Sequence, residues 1–228
     1  MRQITLDTET TGISHEQGHR IIEIGCVELL NRKLTGERFQ VYINPERKVD
    51  DGAFRVHGIS TEFLSDKPLF KDILQDFLDF IGTSELVIHN AAFDLGFLNA
   101  ELKRAKCPKK VEDLCAITDT LVLARTKHPG QRNSLDALCK RFEVDNSNRL
   151  LHGALLDAEL LALVYLALTG GQTSLFSDFD AMPDSDKAVI QERAVATLND
   201  PVVIKATIDE LKQHEDFLAF LNKKAKKA

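Results

Sequence analysis

Three strand-like segments precede any helical periodicity in this chain, and that order restricts it to a sheet begun as an antiparallel meander and completed with helices around it. Residues 4–8 alternate apolar and polar side chains, 21–30 form a longer apolar run, and 39–43 alternate again before Asn44-Pro45 ends the pattern. From 69 to 81 the period changes, with Ile73, Leu74, Phe77, Leu78 and Ile81 at helical spacing, and a buried strand at 85–89 follows. Residues 93–103, 117–126, 134–141 and 154–168 read as further helices, the third opened by a capping signal at Asn133-Ser134. Strands first and helices interleaved later predict an α/β fold, a mixed sheet flanked by helices.

The pattern stops at Thr169-Gly170-Gly171, which predicts one main domain over residues 1–171. Residues 172–186, rich in Ser, Asp and Thr, read as a linker, and 187–228 as a separate helical segment. There Thr207-Ile208-Asp209-Glu210 is a capping box leading into an amphipathic helix to about Leu221, with a lysine-rich tail beyond. Hydrophobic residues make up 43% and charged residues 28%, too apolar for a disordered chain, and no apolar run reaches membrane length. The first residues enter a strand pattern without the apolar core of a secretory signal, so a cytoplasmic protein with no membrane partner is expected. Cys26, Cys107, Cys115 and Cys139 form no C-x-x-C pair, which argues against a zinc ribbon or a redox motif.

Chemistry concentrates in three places. In Leu6-Asp7-Thr8-Glu9-Thr10-Thr11-Gly12 the period of a strand projects Asp7 and Glu9 from one face, two hard oxygen donors side by side. A half-solvated strand with an acidic face would look the same. In Val87-Ile88-His89-Asn90-Ala91-Ala92-Phe93-Asp94 an apolar strand gives way to a helix, which puts Asp94 near a helix N-terminus, where the dipole alone would also favour it. In His152-Gly153-Ala154-Leu155-Leu156-Asp157 a five-residue separation corresponds to roughly 140° around a helix. His152 is therefore expected on the loop entering the helix and Asp157 in its first turns.

Four carboxylates from dispersed elements (Asp7, Glu9, Asp94, Asp157) and one histidine suit two-metal phosphodiester hydrolysis. Oxygen-only ligation selects Mg²⁺ or Mn²⁺ over zinc. His152, with an unperturbed pKa near neutrality, is the expected general base. The net charge of −6 is unhelpful to a protein that holds a polyanion unaided, so metal ions or partners must assist.

In order and spacing, the segments 7–12, 89–94 and 152–157 resemble the three exonuclease motifs of the DEDDh superfamily, whose fold is ribonuclease H-like. The resemblance runs from about residue 2 to 171. Through Gly130-Gln131-Arg132-Asn133-Ser134-Leu135-Asp136-Ala137-Leu138-Cys139 and Thr169-Gly170-Gly171-Gln172-Thr173-Ser174 it is closest to the epsilon-subunit family of bacterial DNA polymerase III. It implies a five-stranded mixed sheet, a site at the ends of the central strands, and 3′-to-5′ proofreading hydrolysis that releases deoxynucleoside monophosphates from a single-stranded or frayed DNA 3′ end. It further implies that His57, in Val56-His57-Gly58-Ile59, contacts the bound nucleotide, and that Thr11 and Phe97 line the terminal nucleoside. A core role for Phe97 is the alternative. At position 52, where some members carry an acid, this chain has Gly52.

Gln172-Thr173-Ser174-Leu175-Phe176 is similar to the short sliding-clamp-binding peptides of bacterial replication proteins, with Gln172, Leu175 and Phe176 as the expected contacts. The family resemblance assigns the C-terminal segment to the polymerase alpha subunit, and Ile208, Leu211, Leu218 and Leu221 form an apolar stripe suited to that. Two other readings share these residues: an RNA 3′-end trimmer of the same superfamily, and a catalytically silent scaffold. The appended segments argue against the first. Four clustered carboxylates, costly unless a cation joins them, argue against the second.

Overall fold

The computed structural model describes residues 1–147 and 151–170, all within one compact unit, Met1–Gly171. Its sheet has five strands: β1 (Arg2–Thr10), β2 (Ile21–Leu30), β3 (Lys33–Tyr42), β4 (Glu85–Ile88) and β5 (Ile117–Asp119), in the order β3-β2-β1-β4-β5. β1 pairs antiparallel with β2, and β2 with β3, the expected meander; β1–β4 and β4–β5 are parallel. β1 is therefore central, and its side chains can point only to the two faces of the sheet.

The helices are α1 (Asp51–His57), α2 (Thr61–Leu64), α3 (Phe70–Ile81), α4 (Ala91–Arg104), α5 (Thr120–Lys127), α6 (Leu135–Arg141) and α7 (Ala154–Thr169). Ile4 and Leu6 point from β1 into the core that α3 and α4 close with Phe70, Phe77, Ile81, Phe97 and Leu98. Each such buried side chain contributes roughly 1.5–3 kcal/mol. Gln3 and Thr5 point to the other face, where Gln3 Nε2 donates to Tyr165 Oη (2.8 Å) and Thr5 Oγ1 to the Ala158 carbonyl (2.8 Å) of α7. α7 is apolar on nearly every side because α6 covers what the sheet does not.

Two readings of the sequence are corrected. Residues 117–119 form β5, parallel to β4 with Ile117 beside Leu86, and the helix begins only at Thr120. Three residues are too few for strand alternation to stand out when Ile117, Leu121 and Ala124 fall at helical spacing. α1 and α2 went unforeseen because α1 buries only His57 and α2 only Leu64, leaving no apolar stripe. β3 is also longer than its alternating half, since residues 33–38 are exposed and carry no pattern.

α7 reaches the sheet through Gly25, which lies opposite Asp7 on β2. A Cβ there would sit 2.2 Å from the Ala154 carbonyl carbon and the Leu155 nitrogen, both backbone atoms. Glu23, two residues earlier, is buried and accepts from the Ala154 amide (3.1 Å) and from Gln40 Nε2 (2.8 Å), placing a carboxylate at the positive end of the helix. Gly25→Ala is expected to push α7 off the sheet, lowering stability by about 1–3 kcal/mol. The urea midpoint measures this.

Candidate active site

Asp7, Glu9, Asp94, His152 and Asp157 converge on one cavity of about 640 Å³ at the C-terminal end of β1. Asp7 and Glu9 leave the face of β1 that α7 covers. Asp157 descends from the first turn of α7, with its amide bonded to the Gly153 carbonyl (2.9 Å). Glu9, His152 and Asp157 each offer a ligand atom within 4.8 Å of the others. His152 lies on the loop before α7, as expected; its amide donates to the Val56 carbonyl (3.1 Å), and its Nδ1 lies 3.1 Å from Asp157 Oδ2. A proton shared there makes Nε2 the basic nitrogen of the ring.

Asp94 approaches from the other face of the sheet, on α4, where Thr8 Oγ1 donates to its Oδ1 (2.7 Å). Burial pushes its carboxyl up to about 7, against the Thr8 hydrogen bond, and the charge of Asp119 adds to the rise. The turn that delivers it requires Asn90 in the left-handed region (φ 67°), which asparagine tolerates better than most residues. A cation among these oxygens is the natural relief for a buried carboxyl raised so far, and the donor set fits a hard divalent metal.

Asp119 went unread in the sequence, yet it joins the two helices that wall the site. Its Oδ1 accepts from the amides of Leu121 (2.8 Å), Val122 (3.2 Å) and Asn90 (3.3 Å), and its Oδ2 from that of Ala91 (3.0 Å). One carboxylate thus caps both α5 and α4. An N-cap Asp ahead of residue 120 was the available signal, hidden by the misplaced helix start.

A second cavity, about 480 Å³, lies across Glu9 and Phe93, lined on its apolar side by Ile13, Ala53 and Val56. His57 lines it; the Ile59 amide donates to its Nδ1 (3.0 Å), which leaves Nε2 as the protonated nitrogen. That nitrogen is buried without a hydrogen-bond partner among the described residues, and burial lowers the ring's pKa. Thr11 and Phe97, expected at the nucleoside, are instead behind the wall. Thr11 is fully buried, its hydroxyl 3.0 Å from His19 Nδ1 and accepting from the Arg20 amide (3.0 Å). Phe97 is 1% exposed and packs on Phe93 (5.0 Å between centroids) and His15 (5.7 Å). The aromatic that faces both cavities is Phe93.

Residues 4–165 match the family described as Exonuclease (RNase_T). The chain belongs to this exonuclease family. It is 52% identical to the DNA polymerase III subunit epsilon of Pasteurella multocida, over 99% of this chain and 91% of that one. To the subunit of the same name from Escherichia coli it is also 52% identical, over 98% and 94%. Among solved structures, exonuclease X in complex with 5′-overhanging duplex DNA superposes with a TM-score of 0.59 at 26% identity, covering 75% of this chain and 95% of that one. The five-stranded mixed sheet is thus the ribonuclease H-like sheet of these exonucleases. Among the described residues no helix is long and apolar enough to cross a membrane.

The raised Asp94 carboxyl sets a pH dependence. An unfolded aspartate ionises near pH 3.9, so between about pH 4 and 7 the metal-free native state holds a proton that the unfolded chain has released. Stability of the metal-free protein then falls as pH rises through that window. Asp94→Asn should remove this slope and be the more stable protein at neutral pH, by on the order of 2–4 kcal/mol. Urea unfolding in chelator across that range measures the difference.

Proposed function

We propose that this chain is the proofreading 3′-to-5′ exonuclease subunit of a bacterial DNA polymerase III, hydrolysing the terminal phosphodiester of a single-stranded or frayed DNA end. The observation that carries this reading is the pair of cavities meeting at Glu9: acids and histidine gather on one side, and a mostly apolar recess sized for a nucleoside lies on the other. The family membership and the epsilon relatives, matched over nearly their whole length, support the same reading.

Asp7, Glu9, Asp94 and Asp157 are the metal ligands in this proposal, for two Mg²⁺ or Mn²⁺ ions, which when bound supply an activated water and charge neutralisation at the leaving oxygen. His152 takes the proton from the attacking water through Nε2, and Asp157 orients its ring through Nδ1. His57 offers its Nε2 hydrogen to the terminal nucleotide, which would satisfy a donor otherwise buried without a partner. Phe93 packs against the base. Thr11 and Phe97 act from behind, Thr11 by holding His19 against Gly12 and Phe97 by seating Phe93.

The partner segments lie outside the described residues. Gln172, Leu175 and Phe176 are proposed to hold the sliding clamp, and residues 187–228 the polymerase alpha subunit. Leu175→Ala with Phe176→Ala is expected to remove clamp co-elution on a sizing column while leaving co-elution with the polymerase subunit unchanged. Retained clamp binding would make 172–176 a hydrophobic cap on the domain and not the clamp contact.

Hydrolysis is tested with matched 3′-labelled DNA and RNA in Mg²⁺. Mononucleotide release should be faster from DNA than from RNA, and faster from a mismatched than from a paired DNA end, because a paired end must first be melted. His152→Ala should cost about two to four orders of magnitude in rate with DNA binding kept. Asp7→Ala should release nothing while remaining folded. Equal release from paired and mismatched ends would refute the proofreading role.

A further inference from the structure

The cavity that holds the acids extends well past them, between α5 and the loop before α6. Leu121 and Arg125, one turn apart on α5, line this part, and so does Gln131 on the loop before α6. Among the described residues, Arg125 is the one Lys or Arg side chain lining this cavity, with five carboxylates: Asp7, Glu9, Asp94, Asp136 and Asp157. It is exposed and has no carboxylate partner among the described residues. The other arginines near the sheet are engaged: Arg20 grips Glu101 (2.8 Å at Nη2), and Arg38 pairs with Glu159 (2.6 Å).

Its place in the last turn of α5 would suit any cation through the helix dipole, but does not account for its facing this cavity. Lys127 in the same turn turns elsewhere and donates to the Leu168 carbonyl (2.6 Å). The loop before α6 is fixed. Asn133 Nδ2 donates to the carbonyls of His128 (3.2 Å) and Gln131 (3.1 Å), and its Oδ1 accepts from Arg141 Nη1 (3.0 Å). A cation held at a rigid groove, among acids it does not pair with, is suited to an anion brought by the substrate.

We propose that Arg125, with Gln131 in the same cavity, binds the DNA phosphodiester one to two nucleotides upstream of the scissile bond. This rests on the exonuclease reading above. The terminal nucleoside occupies the recess beside Val56, so the strand being shortened leaves through the cavity's outer half. Arg125 lies four residues beyond Leu121 on the same helix face, roughly 6 Å further out. That matches one to two steps of a stacked strand at about 3.4 Å per nucleotide.

The test compares the parent with Arg125→Gln and Arg125→Lys on two substrates. One is a short single-stranded oligodeoxynucleotide. The other is the p-nitrophenyl ester of thymidine 5′-monophosphate, which has a scissile phosphate but no upstream one. Arg125→Gln should raise KM for the oligonucleotide about tenfold and lower the slope of log KM against log salt by roughly 0.7, one released counterion of a single strand. Hydrolysis of the nitrophenyl ester should be unchanged, and Arg125→Lys should restore the salt slope. Equal losses on both substrates, or no change on the oligonucleotide, would overturn the assignment. A parent protein inactive on both substrates would instead refute the exonuclease reading itself.

Discussion

A strand paired along both edges has its backbone groups committed to its neighbours, so its side chains can only rise above or fall below the sheet. β1 lies under this constraint, and the site follows from it. Gln3, Thr5, Asp7 and Glu9 go toward α7; Ile4, Leu6 and Thr8 go toward α4. The same alternation that packs two helices on opposite faces presents two acids to one helix and a hydroxyl to the other. Asp157 and Asp94 reach the same strand end from opposite sides of the sheet because Glu9 and Thr8 are successive residues.

Carboxylates so close repel one another, and among the described residues hydrogen-bond donors offset part of this. Thr8 serves Asp94, four backbone amides serve Asp119, and the Ala154 amide and Gln40 serve Glu23, which sits directly opposite Glu9 in the β1–β2 ladder. Like charges at such a pair weaken a sheet unless each finds a partner. Away from the site, the Arg20–Glu101 pair ties the end of the β1–β2 loop to α4. The carboxylates that line the cavity give it a negative field that favours divalent cations.

The acids were legible in the sequence because each sits where a pattern breaks: Asp7 and Glu9 in an alternating strand, Asp94 after an apolar run, Asp157 after His152-Gly153. The meander was legible for the same reason. What escaped was held by side chains reaching to backbone. Nothing local announces that Asp119 caps two helices, one of them reached through the turn at Asn90 from a strand 29 residues away in the chain. Phe93 and Phe97 are both aromatic on one helix, and only the packing of His15 on Phe97 leaves Phe93 as the residue that faces the cavities. Thr11 resembled a substrate contact, but its hydroxyl was already committed to His19 and Arg20.

The double capping by Asp119 has a consequence for the intervening chain. Since α4 and α5 begin at one carboxylate, the walls of the cavity are registered to each other at their N-terminal ends. The connector from Ala105 to Ala116 joins the far end of α4 to β5 and carries no residue that lines the cavity. Insertions or deletions in that connector would lengthen or shorten a tether whose two ends are fixed independently of it, so this is where homologous chains can differ in length while the acids that line the cavity stay in place.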